Sequence, residues 1–166
     1  MLQAAREVLD IVPAARFLFV GGDSVPGEGR QAHLQTEARR LGIADAVLFV
    51  GYRTDPLDLL NASDVFWHAA EAEPLGRSVL EAMALGKPVV VPASAGPGEL
   101  VTCGATGLLV ASGDAHELVE GVVRMLADTD FSSACARAAR QRVVSEFSAE
   151  AMAEGTVAVY RRLLEG

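Results

Sequence analysis

Two glutamates on either side of a glycine are the residues whose chemistry stands out in this sequence. Glu73 and Glu81 are separated by seven residues, and Gly76 lies between them, directly before a segment with helical spacing. A carboxylate accepts two hydrogen bonds in one plane, which suits the hydroxyl groups of a sugar. The unpaired N–H groups of a helix start, next to a glycine, let a phosphate approach the backbone closely. These residues predict a site for a sugar nucleotide.

A helix that begins next to Gly76 is predicted to place Glu81. Apolar spacing from Arg77 to a stop at Gly86 is typical of a short amphipathic helix. Residues three and four apart share a helix face, and the residues expected to face the core are Leu80, Met83 and Ala84. Glu81 then lies on a different face, free to bind a ligand. The plainer interpretation is an exposed ion pair with Arg77, which would contribute little.

Glu73 is predicted to lie just after a strand. The apolar segment Val65–Trp67 precedes it, and a buried strand begins at Val89 after the helix. Open parallel sheets bind their ligands at the carboxyl ends of the strands. Glu73 is therefore expected at the ligand-binding edge of the sheet, close to the helix start.

Short apolar runs alternate with amphipathic segments along most of the chain. The predicted strands are Arg16–Gly21, Ala46–Val50, Asp64–His68, Pro88–Pro92 and Gly107–Val110. The other predicted helices are Leu2–Val12, Arg30–Leu41, Asp55–Asn61 with Asp55 as a cap, one turn at Glu99–Val101, Asp114–Leu126, Ser132–Glu146 and Ala149–Leu164. Gly22–Gly29 and Ala93–Gly98 are predicted loops. This alternation predicts an α/β fold, Rossmann-like, with a mostly parallel sheet between two helix layers.

Length and composition favour one domain over residues 1–166. The 166 residues are 51% hydrophobic, enough for one substantial core. No apolar run approaches membrane-spanning length and Met1 begins no signal peptide, so we expect a cytoplasmic protein.

The net charge of −8 argues against a nucleic-acid binder, although local dipoles could still hold a diphosphate. Cys103 and Cys135 lack metal-ligand spacing, and we expect free thiols.

The pattern around the two glutamates resembles a known family signature. Glu73-(seven residues)-Glu81 is followed by Ala82-Met-Ala-x-Gly-x-Pro-Val-Val, as in the retaining, nucleotide-sugar-dependent glycosyltransferases of family four, also called group 1. The resemblance extends from Arg16-Phe-Leu-Phe-Val-Gly-Gly through Gly51-Tyr-Arg to Thr106-Gly-Leu-Leu-Val. It implies the GT-B fold and, for this chain, the carboxyl-terminal donor-binding domain. The implied reaction moves a hexosyl group from a UDP-sugar or GDP-sugar to a sugar or lipid-linked acceptor, with no required metal or other cofactor.

The resemblance also implies a role for each candidate residue. Glu81 would bind the ribose hydroxyls, and Glu73 the transferred sugar. We expect Glu73 to orient that sugar rather than to act as a covalent nucleophile, although a retaining reaction allows both. The amides expected along sugar and phosphate belong to Leu75, Gly76, Arg77 and Ser78. The residues expected to hold the base are Gly51, Tyr52 and Arg53, for which a plain turn is an equal alternative.

Three neighbouring features have competing interpretations. His68 could be a catalytic base beside Glu73, but a structural histidine is the preferred interpretation because the family's acid–base groups near the acceptor lie in its other domain. Asp128-Thr129-Asp130 mimics a metal-binding Asp-x-Asp, but a helix cap fits its position better. The segment Ala95-Gly-Pro-Gly-Glu99 occupies the place of the family's Gly-Gly-x-x-Glu loop, with Glu99 as a lesser site candidate.

The sequence departs from the family pattern at its start. The family's domain opens with a further, central strand and an Arg-x4-Lys-Gly segment that holds the diphosphate, and this sequence has neither. It also lacks the acceptor-binding amino-terminal domain. We therefore expect the chain alone to bind donor weakly and to catalyse little. Either the sheet closes differently, or another segment or a second chain fills the gap, through a homo-oligomer or strand exchange.

Two other functions fit the same residues. The first is a non-enzymatic nucleotide-binding or assembly module, which would use the same sheet for protein contacts. The second is a sugar-nucleotide epimerase on a related scaffold. Titration calorimetry with UDP, GDP and their sugars separates these functions, and saturable binding that is lost in Glu81→Ala supports the transferase.

Overall fold

The computed structural model describes residues 1–22, 29–68, 70 and 73–165. Within these ranges the strands are β1 (Phe17–Val20), β2 (Val47–Gly51), β3 (Phe66–Trp67), β4 (Val89–Pro92) and β5 (Leu108–Val110). The helices are α1 (Leu2–Ile11), α2 (Arg30–Arg40), α3 (Pro56–Asn61), α4 (Arg77–Ala84), α5 (Ala95–Leu100), α6 (Ala115–Ala127), α7 (Thr129–Glu146) and α8 (Ala149–Glu165). A 3-10 turn at Ala44–Ala46 precedes β2. Most of the predicted loop Gly22–Gly29 lies outside the described residues.

All the described strand pairs are parallel, which confirms the predicted fold class. β1 pairs with β2, and Phe17 lies opposite Val47. β4 lies between β3 and β5 in a separate sheet. In the ranges given above, no backbone ladder joins β1 to β3; instead the rings of Phe17 and Trp67 stack with their centroids 5.5 Å apart. Among the described residues the sheet is therefore interrupted between β1 and β3, the place where the resemblance implies a further, central strand.

The core lies on both faces of β4, whose four residues are all buried. One face packs against α1 and α6, through side chains such as Val8 and Val122. The other packs against α4 and α7, through side chains such as Met83 and Ala139. A parallel strand covered on both faces needs a continuous apolar run, and Val89–Pro92 supplies one.

The buried face of α4 differs from the prediction. The fully buried residues of this helix are Val79, Ala82 and Met83, at positions i, i+3 and i+4. Leu80 is half-buried and packs against the same core cluster, as predicted, whereas Ala84 is exposed, so placing Ala84 on the core face was wrong. Glu81 is half-exposed, as its predicted role requires.

Three further expectations can be compared with the structure. Residues 95–98 were predicted as loop but form the start of α5, which also contains Glu99 near its end. Asp128 caps α7 as predicted, since its Oδ1 accepts a hydrogen bond from the Phe131 N–H at 3.0 Å. Cys103 and Cys135 are free thiols, also as predicted.

The helices of the described part of the chain include none that is long and apolar enough to cross a membrane. The last helix, α8, buries none of its residues.

Candidate sugar-nucleotide site

The turn from Glu73 to Gly76 forms the start of α4. Gly76 adopts a left-handed backbone with φ of 86°, and a Cβ at this position would lie 3.2 Å from Cγ of Pro97. A residue with a side chain would therefore be strained in conformation and crowded in space. Glu73 Oε1 accepts a hydrogen bond from the Gly76 N–H at 3.0 Å. The half-buried Glu73 carboxylate is thereby fixed beside the helix start.

The first turn of α4 presents unpaired amides. The N–H groups of Val79 and Leu80 donate to the Gly76 carbonyl at 2.9 and 3.1 Å. Among the described residues, no acceptor pairs with the N–H groups of Arg77 and Ser78. This first turn also contains no acidic residue, so the positive end of the helix dipole is not neutralised from within the helix. An anion is the ligand that such a helix start favours.

Glu81 lies one turn further along α4, beside Arg77. Arg77 Nη2 is 3.8 Å from Glu81 Oε1, and the two side chains are 86% and 40% exposed. An ion pair this long and this open to water contributes little to stability. The Glu81 carboxylate can therefore exchange its arginine partner for ligand hydroxyl groups.

Helix α5 packs closely against the turn that carries Glu73. The Gly96 N–H donates to the Glu73 carbonyl at 3.3 Å. A Cβ on Gly96 would lie 2.5 Å from the Pro74 carbonyl oxygen and 2.6 Å from the Leu75 nitrogen. Gly96 is thus required by space, and sequence reasoning missed it because the segment was predicted to be a loop. Glu99 is exposed near the end of α5, away from the α5 start that a capping acid would occupy.

Two buried polar atoms in the same region have no partner. His68 Nε2 and Ser94 Oγ are both buried, and neither has a hydrogen-bond partner among the described residues. His68 follows β3 and Ser94 follows β4, so both lie at the carboxyl ends of neighbouring strands. Burial lowers the pKa of His68, and the negative charge of Glu73 acts in the opposite direction. Sequence reasoning considered His68, but no sequence signal pointed to Ser94.

The predicted base-binding segment lies at the end of β2. Gly51 ends this strand with φ of 66°, and its carbonyl accepts from the Gly21 N–H at 2.9 Å. Tyr52 is 86% exposed, so its ring is open to stacking. Arg53 binds both carboxylate oxygens of Asp55, each at 2.8 Å, and these hydrogen bonds raise the pKa of Arg53 and lower that of Asp55.

One expectation about this segment changes as a result. Asp55 lies at the N-cap position of α3, but its side chain binds Arg53 and makes no capping hydrogen bond, so the predicted side-chain cap was wrong. The guanidinium of Arg53 is likewise held by Asp55. In the described ranges, no hydrogen bond or ion pair joins residues 51–53 to Glu73 or to α4, although both segments follow the carboxyl ends of parallel strands.

Within the described ranges, no cluster of three or more His, Cys, Asp or Glu side chains could hold a metal ion. Among the described residues from Glu73 to Glu81, the groups that could contact a charged ligand are the carboxylates of Glu73 and Glu81, the guanidinium of Arg77 and the amides of the helix start.

Known sequences match most of the chain. A family model described as glycosyl transferases group 1 covers residues 1–142. The lipopolysaccharide core biosynthesis glycosyltransferase LpsE of Rhizobium meliloti is 35% identical over 138 residues, which are 83% of this chain and 39% of that protein. The chain thus spans about two fifths of the length of this relative.

Comparison with solved structures gives the same result. HepE of Anabaena in complex with UDP is 28% identical, with a TM-score of 0.89 over 97% of this chain and 44% of that one. The same protein in complex with UDP-glucose gives a TM-score of 0.86 at 29% identity. The C-terminal domain of LpcC from Francisella tularensis matches 89% of this chain and 77% of that one, with a TM-score of 0.79. At 18% identity this last likeness concerns the fold alone.

Proposed function

Since this chain belongs to the group 1 glycosyl transferases, whose family model matches residues 1–142, we propose that it is the donor-binding half of a two-domain GT-B enzyme. Residues 1–166 form one domain, and it corresponds to the carboxyl-terminal half. Two observations support this assignment. The chain covers 44% of HepE, and it covers most of the isolated C-terminal domain of LpcC. The other half, which would bind the acceptor, is supplied by a separate domain.

The donor is a nucleoside diphosphate sugar, and UDP is the preferred nucleotide. The observation that carries this proposal is the start of α4, where the unpaired amides of Arg77 and Ser78 lie between two carboxylates. These amides and the helix dipole bind the diphosphate without a metal ion. The preference for UDP over GDP is supported by the UDP and UDP-glucose complexes of HepE.

The two carboxylates divide the hydroxyl groups of the donor between them. Glu81 binds the ribose hydroxyls, since it is exposed one turn beyond the phosphate-binding amides. Glu73 binds the transferred hexosyl group through the oxygen that the Gly76 N–H does not occupy. A hydrogen bond to one oxygen fixes the plane of the carboxylate and stabilises its charge, which favours orientation of the sugar over nucleophilic attack. Configuration at the transferred carbon is retained.

The base lies against the segment that follows β2. Backbone groups of Gly51 and Arg53 and the exposed ring of Tyr52 are the candidates for this contact. Arg53 is held by Asp55, so its guanidinium does not replace the family's diphosphate-binding cations. The hexosyl group passes to a sugar or lipid-linked acceptor once both domains have closed and excluded water. The chain alone therefore binds donor and transfers little.

Titration calorimetry of the 166-residue chain with UDP, GDP, UDP-glucose and GDP-mannose tests this function. We expect saturable binding of UDP that weakens about tenfold or more in Glu81→Gln, which loses charge-assisted hydrogen bonds to ribose. Glu120→Gln is the matched control, because Glu120 is exposed on α6 and its one ion pair among the described residues is with His116 at 3.5 Å. Absence of binding to any of the four compounds would refute the assignment. Equal loss in both variants would refute the role of Glu81.

A further inference from the structure

We propose that His68 is a specificity-determining residue, whose imidazole hydrogen-bonds a hydroxyl group of the transferred sugar at a cavity that His68 lines at the carboxyl ends of β3, β4 and β5. This inference rests on the proposed function, since it assumes that a sugar nucleotide binds at the start of α4. It adds a sugar contact that the Glu-(seven residues)-Glu pattern does not contain.

The unpaired nitrogen of His68 is the first observation. The His68 backbone is fixed, because its N–H donates to the Val90 carbonyl at 2.9 Å. The ring nitrogen Nε2 is buried, yet among the described residues it has no partner. A histidine with a purely structural role is expected to have its buried nitrogens satisfied. An unsatisfied buried nitrogen costs free energy, and a ligand hydroxyl group would remove that cost.

The cavity that His68 lines is the second observation. It has a volume of about 180 Å³ and is bordered by His68, Pro92 and Val110, which lie at or just past the carboxyl ends of β3, β4 and β5. This is the edge where an open parallel sheet binds its ligands. The lining combines apolar side chains with two polar ones, His68 and Asp114. Such a mixture suits a sugar, which presents both C–H groups and hydroxyls.

The relation of His68 to Glu73 connects this cavity to the donor site. Glu73 lies close enough for its charge to act on the imidazole, although burial has the larger effect and lowers the pKa of His68. The imidazole is therefore neutral near pH 7 and offers one N–H donor and one acceptor nitrogen. A neutral ring of this kind can hydrogen-bond a hydroxyl group. It carries no charge with which to attract the diphosphate.

Ser94 Oγ is a second unpaired polar atom at this edge of the sheet. It is also buried without a partner in the described part of the chain. Ser94 precedes α5, whose Gly96 contacts the backbone of the Glu73 turn. Unpaired polar atoms at the ends of β3 and β4 thus accompany Glu73.

The test compares UDP with UDP-sugars in wild-type chain and in His68→Phe, which keeps a ring but removes both nitrogens. The UDP-sugars are UDP-glucose, UDP-galactose and UDP-N-acetylglucosamine, and calorimetry gives each Kd. For the sugar that wild type binds best, the variant should bind about three- to tenfold more weakly, as expected for the loss of one neutral hydrogen bond. Its Kd for UDP should be unchanged. His68→Gln should recover part of the loss, because its amide can also donate and accept.

A matched control and a second measurement separate this role from a structural one. His116→Phe is the control, because the His116 side chain is 77% exposed on α6. In wild-type chain labelled with ¹⁵N-histidine, a UDP-sugar should shift the His68 Nε2 resonance and UDP should not. This measurement needs no variant, so it remains decisive if His68→Phe fails to fold.

Several results would overturn the proposal. Equal weakening of UDP and UDP-sugar in His68→Phe would make the residue structural. Unchanged affinity for every UDP-sugar, or an Nε2 resonance that no UDP-sugar shifts, would exclude the contact. If wild type binds UDP and every UDP-sugar with the same Kd, His68 makes no contact with the sugar, but the proposed nucleotide-binding function stands. If wild type binds neither UDP nor any UDP-sugar, both proposals fail.

Discussion

Replacing Gly96 by alanine should displace the turn that carries Glu73, although Gly96 itself is not among the predicted ligand-binding residues. A Cβ at this position would lie 2.5 Å from the Pro74 oxygen, 2.6 Å from the Leu75 nitrogen and closer still to the Leu75 Cα. All three are backbone atoms, so no side-chain rotation can relieve the contact. Ordinary contact begins at about 3.4 Å, and α5 must therefore separate from the turn by at least about 0.9 Å, the difference between 3.4 Å and the 2.5 Å to the Pro74 oxygen. That turn carries Glu73 and leads into α4.

The expected loss of stability follows from this overpacking. Forcing extra methyl groups into packed sites typically costs about 1–3 kcal/mol. For a chain of this length each kcal/mol lowers Tm by about 2–4 °C, so the expected decrease is about 2–12 °C. Because the displaced turn positions Glu73 and the α4 amides, UDP-sugar affinity should also fall about tenfold or more. Urea denaturation gives the free energy of unfolding, and titration calorimetry gives the affinity.

Gly155→Ala is the matched control for this experiment. Gly155 lies in α8, and a Cβ there would meet nothing within 4 Å. The same substitution should stabilise α8 by up to about 1 kcal/mol, because alanine favours helix. It should leave UDP-sugar affinity unchanged. If Gly96→Ala is as stable as wild type, the packing argument is wrong. If it is destabilised yet binds UDP-sugar normally, the turn is not part of the site.

Three other predictions follow from single residues. Gly76→Ala should lower the free energy of unfolding by about 1–2 kcal/mol, because its left-handed backbone disfavours a side chain, and calorimetry should show weaker UDP binding. Asp128→Ala should cost about 1 kcal/mol in urea denaturation through loss of the α7 cap, with an unchanged Kd for UDP. The lowered pKa of His68 means that the unfolded chain binds its proton first as pH falls below about 6.5. The free energy of unfolding should therefore decrease from that pH down to the lower pKa of folded His68, with a shallower slope in His68→Phe.

Local signals predicted the elements that carry the site. The glycine at position 76, the apolar run at Val89 and the cap at Asp128 each depend on neighbours within a few residues, and all three were predicted correctly. The buried stripe of α4 was only partly predicted. Leu80, Met83 and Ala84 satisfy helical spacing as well as Val79, Ala82 and Met83 do. The choice between the two stripes depends on how α4 packs against β4 and α7.

Long-range contacts account for what the sequence could not predict. Nothing local to Gly96 indicates that its backbone packs against the turn that carries Glu73, Pro74 and Leu75. The carboxylate of Asp55 suits a helix cap, but Arg53 competes for it with two hydrogen bonds. Likewise, the unpaired nitrogen of His68 becomes visible only when the surroundings of the ring are known. The roles of Glu73, Glu81 and residues 51–53 stay predictions until a ligand is bound.

The interruption between β1 and β3 has a mechanical consequence. Among the described residues, side-chain packing joins the β1–β2 half to the β3–β4–β5 half, without a shared backbone ladder. Such halves can open as separate cooperative units with different protection against hydrogen exchange. The segment that follows β2 belongs to one half, and the start of α4 belongs to the other. A nucleoside diphosphate sugar in contact with both halves would couple them, and the slowest-exchanging amides of the two halves would then open together.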